Sequence, residues 1–183
     1  MRSGRIRGAF DVKGGSIAAG GCLLRQGEYR GHSVICTAEG RVWTFGTGEK
    51  GKLGHGGEAD EMVPRLVEGL VSVKVAQVAA GGSHTVICTA EGRVWTFGWG
   101  IDGPLGHGGT ADEMVPRMVE GLVGVKVAQV AAGAFHTVIC TTEGRVLTFG
   151  YGSHGQLGHS GDGNEMGPRM VEGLVGVKVA DMP

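Results

Sequence analysis

Residues 73–80, VKVAQVAA, open a stretch in which short apolar runs alternate with glycine-rich breaks. The run has the length of a strand and is rich in valine. HTVICT (84–89) follows, β-branched at several positions, and predicts a second strand. After the turn AEG, where Gly92 suits the positive φ that closes a hairpin, RVWTFG (93–98) is the return strand. A glycine-rich loop spans 98–113. PRMVEGL (116–122) predicts a fourth, shorter strand, with Pro116 at its start where no ladder donor is needed. These strands are nearly continuously apolar, which predicts a sheet covered on both faces. The small run Ala79-Ala80-Gly81 suits an inner strand, where neighbouring sheets converge.

The pattern recurs with a fixed step. His32, His84 and His136 are 52 residues apart, as are His55, His107 and His159, and Cys36, Cys88 and Cys140. Laying 32–83 on 84–135 leaves ten mismatches. Four short strands in a unit of this length predict a blade of a β-propeller. The expected organisation is three tandem blades over 31–183, preceded by a non-repeat segment, 1–30, that need not be ordered. SIAAGGC (16–22) is only a faint echo of QVAAGGSH (77–84). Three blades are too few to close a ring. An incomplete ring follows, with GLVGVKVADMP (173–183) beginning a further strand. Its open faces call for a longer propeller or a second copy.

Composition narrows this picture little. Among 183 residues, 38 are glycine and 5 are proline, without the G-X-Y period of collagen, and 41% are hydrophobic, too many for a disordered chain. A net charge of −1 gives no strong nucleic-acid signal and no pull toward anionic lipid. No apolar run approaches the ~20 residues of a membrane span. Arg2, Arg5 and Arg7 have no apolar core behind them, which argues against a secretory leader.

The stretch FGTGEKGKLGHGG (45–57) mimics two nucleotide motifs. Gly46, Gly51 and Lys52 spell most of a P-loop, but Leu53 stands where a magnesium-binding Ser or Thr belongs, and no helix can follow. The G-x-G-x-x-G spacing recurs in all three copies without a βαβ unit. These glycines are expected to serve left-handed turns, and no cofactor is expected.

The order of G-x-x-H, E-G-R-V, F-G-x-G-x-x-G-x-L-G-H-G and P-R-x-V, as in VAAGGSHTVICTAEGRVWTFGWGIDGPLGHGG (78–109), resembles the regulator of chromosome condensation repeats over 31–183. The resemblance implies an all-β fold, a β-propeller with about three four-stranded blades. Family members include exchange factors for a small nuclear GTPase, a plant ultraviolet photoreceptor and propellers of HECT-type ubiquitin ligases. The photoreceptors use a tryptophan where this chain has Gly82 and Ala134, which argues against light sensing. The exchange factors carry a wedge insertion for which the strict step leaves no room. The ligases need a separate catalytic domain.

Side-chain chemistry predicts no enzyme. The periodic histidines are expected to hydrogen-bond backbone within their own blades rather than gather on a metal. The periodic cysteines read as small buried hydrophobes in a reducing compartment, cytoplasmic or nuclear. Asp60-Glu61 and Asp112-Glu113 read as solvated loop ends that cap turns. Trp43 and Trp95 read as core. Most differences between copies collect in the glycine loop, either as a recognition face or as drift where packing imposes nothing. Its candidate protein contacts are Lys50, Lys52, Trp99, Asp102, Tyr151 and His154. The expected function is a non-catalytic protein-interaction module. The alternatives are nucleotide exchange on a small GTPase and a structural piece of a larger propeller, and the expected partner is a protein.

Overall fold

The computed structural model describes residues 15–23 and 29–177. They form three four-stranded antiparallel meanders. The first contains β1 (Ser16–Leu23), β2 (Tyr29–Cys36), β3 (Val42–Gly46) and β4 (Glu61–Leu66). The second contains β5 (Val75–Ala80), β6 (His84–Thr89), β7 (Val94–Gly98) and β8 (Glu113–Met118). The third contains β9 (Val127–Ala132), β10 (His136–Thr141), β11 (Val146–Gly150) and β12 (Glu165–Met170). The inner strands pack in succession, β1 on β5 and β5 on β9. The fold is all-β, an open arc of three propeller blades.

Residues 16–23 were expected outside the repeat, yet they supply the inner strand of the first blade. Ala18 pairs with Val34 as Ala79 pairs with Val86, so SIAAGG and QVAAGG are equivalent. The step from Ser16 to Gln77 is 61 residues rather than 52. Relative to the other copies the first carries nine extra residues, 22–30, which lengthen β1 and β2 as well as their connection and hide the strand from any search at a fixed period. The expected further strand in 173–183 falls partly on 178–183, outside the described residues.

The fourth strand begins at Glu113, earlier than expected, and Pro116 lies within it. This outer strand pairs only with β7, so a missing donor on its far side breaks no ladder. The EGL of the expected strand instead forms a 3-10 turn, Glu120–Leu122.

The core lies between blades. Val34, Cys36, Val42, Val67 and Leu70 of the first blade meet Val75, Val78, Ile87 and Phe97 of the second. Val86, Cys88, Val94, Val119 and Leu122 on the second blade's other side meet Val127, Val130, Ile139 and Phe149 of the third. Alternate residues of β6 therefore face opposite neighbours, which is why its run is apolar throughout.

Candidate protein-contact face

Each glycine loop is held by contacts that the repeat supplies again and again. Gly100 N–H donates to Asp112 Oδ1 at 2.8 Å, and Gly48 and Gly152 do the same to Asp60 and Asn164. A Cβ on Gly100 would lie 1.9 Å from the Ala111 carbonyl oxygen, so no side chain is tolerated there. Gly46 and Gly51 take the expected positive φ, 109° and 76°, whereas Gly48, at φ −96°, is required by the same close approach as Gly100. The expected capping role also holds: Asp112 closes the loop, while Glu113 pairs with Arg117 at 2.6 Å.

The histidines divide into two sets. His55, His107 and His159 stay within their blades, each with Nε2 2.8–3.0 Å from a threonine hydroxyl, Thr44, Thr96 or Thr148. His32 and His84 cross to the next blade instead, a correction to the expected bonds within one blade. His84 Nε2 lies 3.0 Å from Thr137 Oγ1, and Thr137 donates its hydroxyl at 2.8 Å to the Pro104 carbonyl. His32, Thr85 and the Lys52 carbonyl repeat this at 2.7 Å and 2.7 Å. Because the hydroxyl gives its only proton to a carbonyl, Nε2 must carry the histidine proton. Nδ1 of His84 is then a bare acceptor, buried with no hydrogen-bond partner. Burial pushes the His32 and His84 imidazoles down to about 3, with Lys52 lowering the first further and the other seam histidines the second. Both are neutral clamps, unsuited to proton transfer near pH 7.

Cys36, Cys88 and Cys140 are free and buried, as expected; burial raises the Cys88 thiol to about 11. Among the described residues, no group of three or more His, Cys, Asp or Glu could hold a metal ion.

The six candidate contacts do not share one fate. Trp99, Tyr151 and His154 come together at the same end of the arc, joined by a ring the sequence did not single out. Phe135, in the β9–β10 connection, makes an edge-to-face contact with Trp99 at 4.9 Å between centroids and with Tyr151 at 6.5 Å. Tyr151 in turn meets His154 at 5.9 Å. Backbone bonds set this up: Trp99 N–H donates to Ser83 O, and Tyr151 N–H to Phe135 O. The string thus crosses the seam between the second and third blades. Asp102 lies at the same seam, where Asn164 Nδ2 donates to its Oδ1 at 3.1 Å, one blade's loop to the next. Lys50 lies at the other seam, 3.7 Å from Asp112.

Lys52 is the exception. It is 1% exposed and offers no surface for a partner. Its carbonyl belongs to the Thr85 clamp, and its charge acts on His32. The sister copies have Pro104, which is buried, and Gln156, which is half-buried, at this position. For Phe135 the available signal was its replacement of Ser83 between otherwise similar copies.

The family model for the regulator of chromosome condensation (RCC1) repeat matches residues 39–88, 91–140 and 143–182. The chain belongs to this family. Each of the first two RCC1 matches starts in the turn before the third strand of one blade and ends in or beside the second strand of the next. The family's unit therefore contains a seam, with its clamp and apolar interface, rather than a whole blade.

Among curated relatives, the E3 ubiquitin-protein ligase HERC2 of Homo sapiens is 39% identical over 153 residues, 82% of this chain and 3% of HERC2. The ultraviolet-B receptor UVR8 of Arabidopsis thaliana is 35% identical over 143 residues, 78% of this chain and 32% of UVR8. The crystal structure of Prp20p from Saccharomyces cerevisiae superposes with a TM-score of 0.70 at 19% identity, over 77% of this chain and 36% of Prp20p. This chain spans about a third of UVR8 and Prp20p and a far smaller share of HERC2. The Prp20p likeness supports the fold alone.

Proposed function

We propose that this RCC1-repeat chain is a non-catalytic protein-interaction module that presents the glycine-loop end of its arc to a partner. The aromatic string across the second seam carries this reading. Half-buried rings on loops, contributed by two blades and replaced by Thr47 and Ser83 at matching positions elsewhere, fit a contact surface better than packing that every copy would share. Replacing Trp99 and Tyr151 together with alanine should weaken partner capture in affinity purification while leaving the β-sheet circular dichroism unchanged. Loss of the sheet signal would make the rings part of the core and end the proposal.

A second reading makes the partner a small GTPase whose nucleotide exchange the chain regulates. Family membership supports it, as does the binding of Prp20p to Gsp1p and histones. It is a fold-level analogy. Release of a fluorescent nucleotide from candidate GTPases, with and without the chain, separates this from simple binding. The reading places the protein in the nucleus or cytoplasm. The uncovered faces at both ends of the arc receive further repeats, from a longer form of the protein or from a second copy, which light scattering distinguishes.

A further inference from the structure

Resting on the reading of the glycine-loop end as the contact face, we infer that the segment it takes is basic: an arginine-rich stretch of a partner protein that lays guanidinium groups on Trp99, Phe135 and Tyr151. The rings supply flat π surfaces, which attract cations, and arginine above lysine because the planar guanidinium also stacks. Charge around them points the same way. The two loops that hold Trp99 and Tyr151, 98–112 and 150–164, contain Asp102, Asp112 and Asp162 and neither lysine nor arginine. The first blade's loop, with Thr47 in place of the aromatic, is the one that carries Lys50 and Lys52. Lys52 is buried and Lys50 pairs with Asp112, which leaves Asp102 and Asp162 as the carboxylates of these two loops without an ion pair among the described residues.

Asp102 is held at this seam by Asn164, which replaces the aspartate of the other two copies and donates where an aspartate would repel. One accepted bond leaves most of a carboxylate's roughly four acceptor sites open to a guanidinium. At the opposite end of the third blade, the turn between β10 and β11 pairs Arg145 with Glu143 at 2.8 Å and presents no acidic excess. A phosphate-bearing partner would meet like charge at the aromatic end, whereas a basic peptide is both steered and held there.

The test uses the full chain and short labelled peptides in which Arg, Lys or Glu alternates with Gly, read by fluorescence anisotropy. The Arg–Gly peptide should bind more tightly than Lys–Gly, and Glu–Gly should not bind. Trp99→Thr, Phe135→Ser and Tyr151→Thr together import residues that other copies carry at these positions, so the fold should survive. This triple variant should weaken Arg–Gly binding about tenfold, in line with losing cation–π contacts. Asp102→Asn should weaken it less. Equal binding of Glu–Gly, or full Arg–Gly affinity in the triple variant, overturns the inference.

A photocrosslinker at the exposed position Ile101 then separates this inference from the reading beneath it. Crosslinks in cells that map to Arg-rich segments support the inference. Crosslinks to segments lacking Arg and Lys overturn it while leaving the contact face in place. No crosslinked protein overturns both.

Discussion

The hexapeptide HTVICT occurs twice, as β6 and as β10, in two settings. In β6 all six residues are buried; in β10 His136 and Val138 are only half-buried. The same holds beyond the strand. Leu122 is 4% exposed and its counterpart Leu174 is 37% exposed. His84 has Thr137 of the next blade as its partner, and His136 has no such threonine among the described residues. Identical letters thus take different environments because, among the described residues, one blade has a successor in the arc and the other has none. The lesson is that the stabilising unit is the seam: apolar burial between sheets, plus a His–Thr–carbonyl clamp that can form only when two blades meet.

The largest way to break this comparison is acid. The seam histidines have an ordinary value of 6.5 and are held near 3 in the fold, so the unfolded chain binds their protons first. Stability should fall as pH drops below about 6.5 and stop falling from this source near 3. Between pH 7 and pH 5 the loss is about 2 kcal/mol for each of the two histidines. Denaturant midpoints at the two pH values check the loss. Histidine NMR titrations check its origin: His136, held down by burial to a lesser degree, should protonate before His84.

The next test compares one leucine in two places. Leu122→Ala should cost about 3 kcal/mol, as buried leucine truncations do, and Leu174→Ala about 1 kcal/mol or less. Equal costs in chemical denaturation would mean that the seam gives Leu122 nothing that the open face lacks.

The smallest effect sharpens which contacts matter at a seam. Lys50 and Asp112 tie the first two blades at 3.7 Å, but the lysine side chain is 41% exposed. Lys50→Ala should therefore change stability by less than about 0.5 kcal/mol. A larger loss would shift weight from the apolar interface to the loop-to-loop charges.

Much of this was legible in the sequence, and each failure has its own physical reason. A fixed 52-residue step, strand-length apolar runs and the order of glycines led to blades, because each is a property of one repeat. The His84 partner was not legible that way. Thr137 lies 53 residues on, one period plus one, and a bond between repeats leaves no mark inside a single repeat. Lys52 was misplaced because charge normally means surface, whereas its backbone carbonyl is what the clamp uses. The inner strand β1 was missed because a nine-residue insertion shifts it out of step. Trp99 and Tyr151 were found from their contrast with Thr47; Phe135 carries the same contrast, against Ser83, on a neighbouring loop.

Native-state hydrogen exchange on the two copies of HTVICT tests the importance of the seam most directly, since composition and strand pairing are matched. It should be done at a concentration where light scattering reports a monomer, so that no second copy covers the third blade. Amides of 84–89 should then exchange more slowly than those of 136–141, by about tenfold or more for a seam worth at least 1.4 kcal/mol. Equal protection in the monomer would contradict the claim that burial between neighbouring blades holds this fold together.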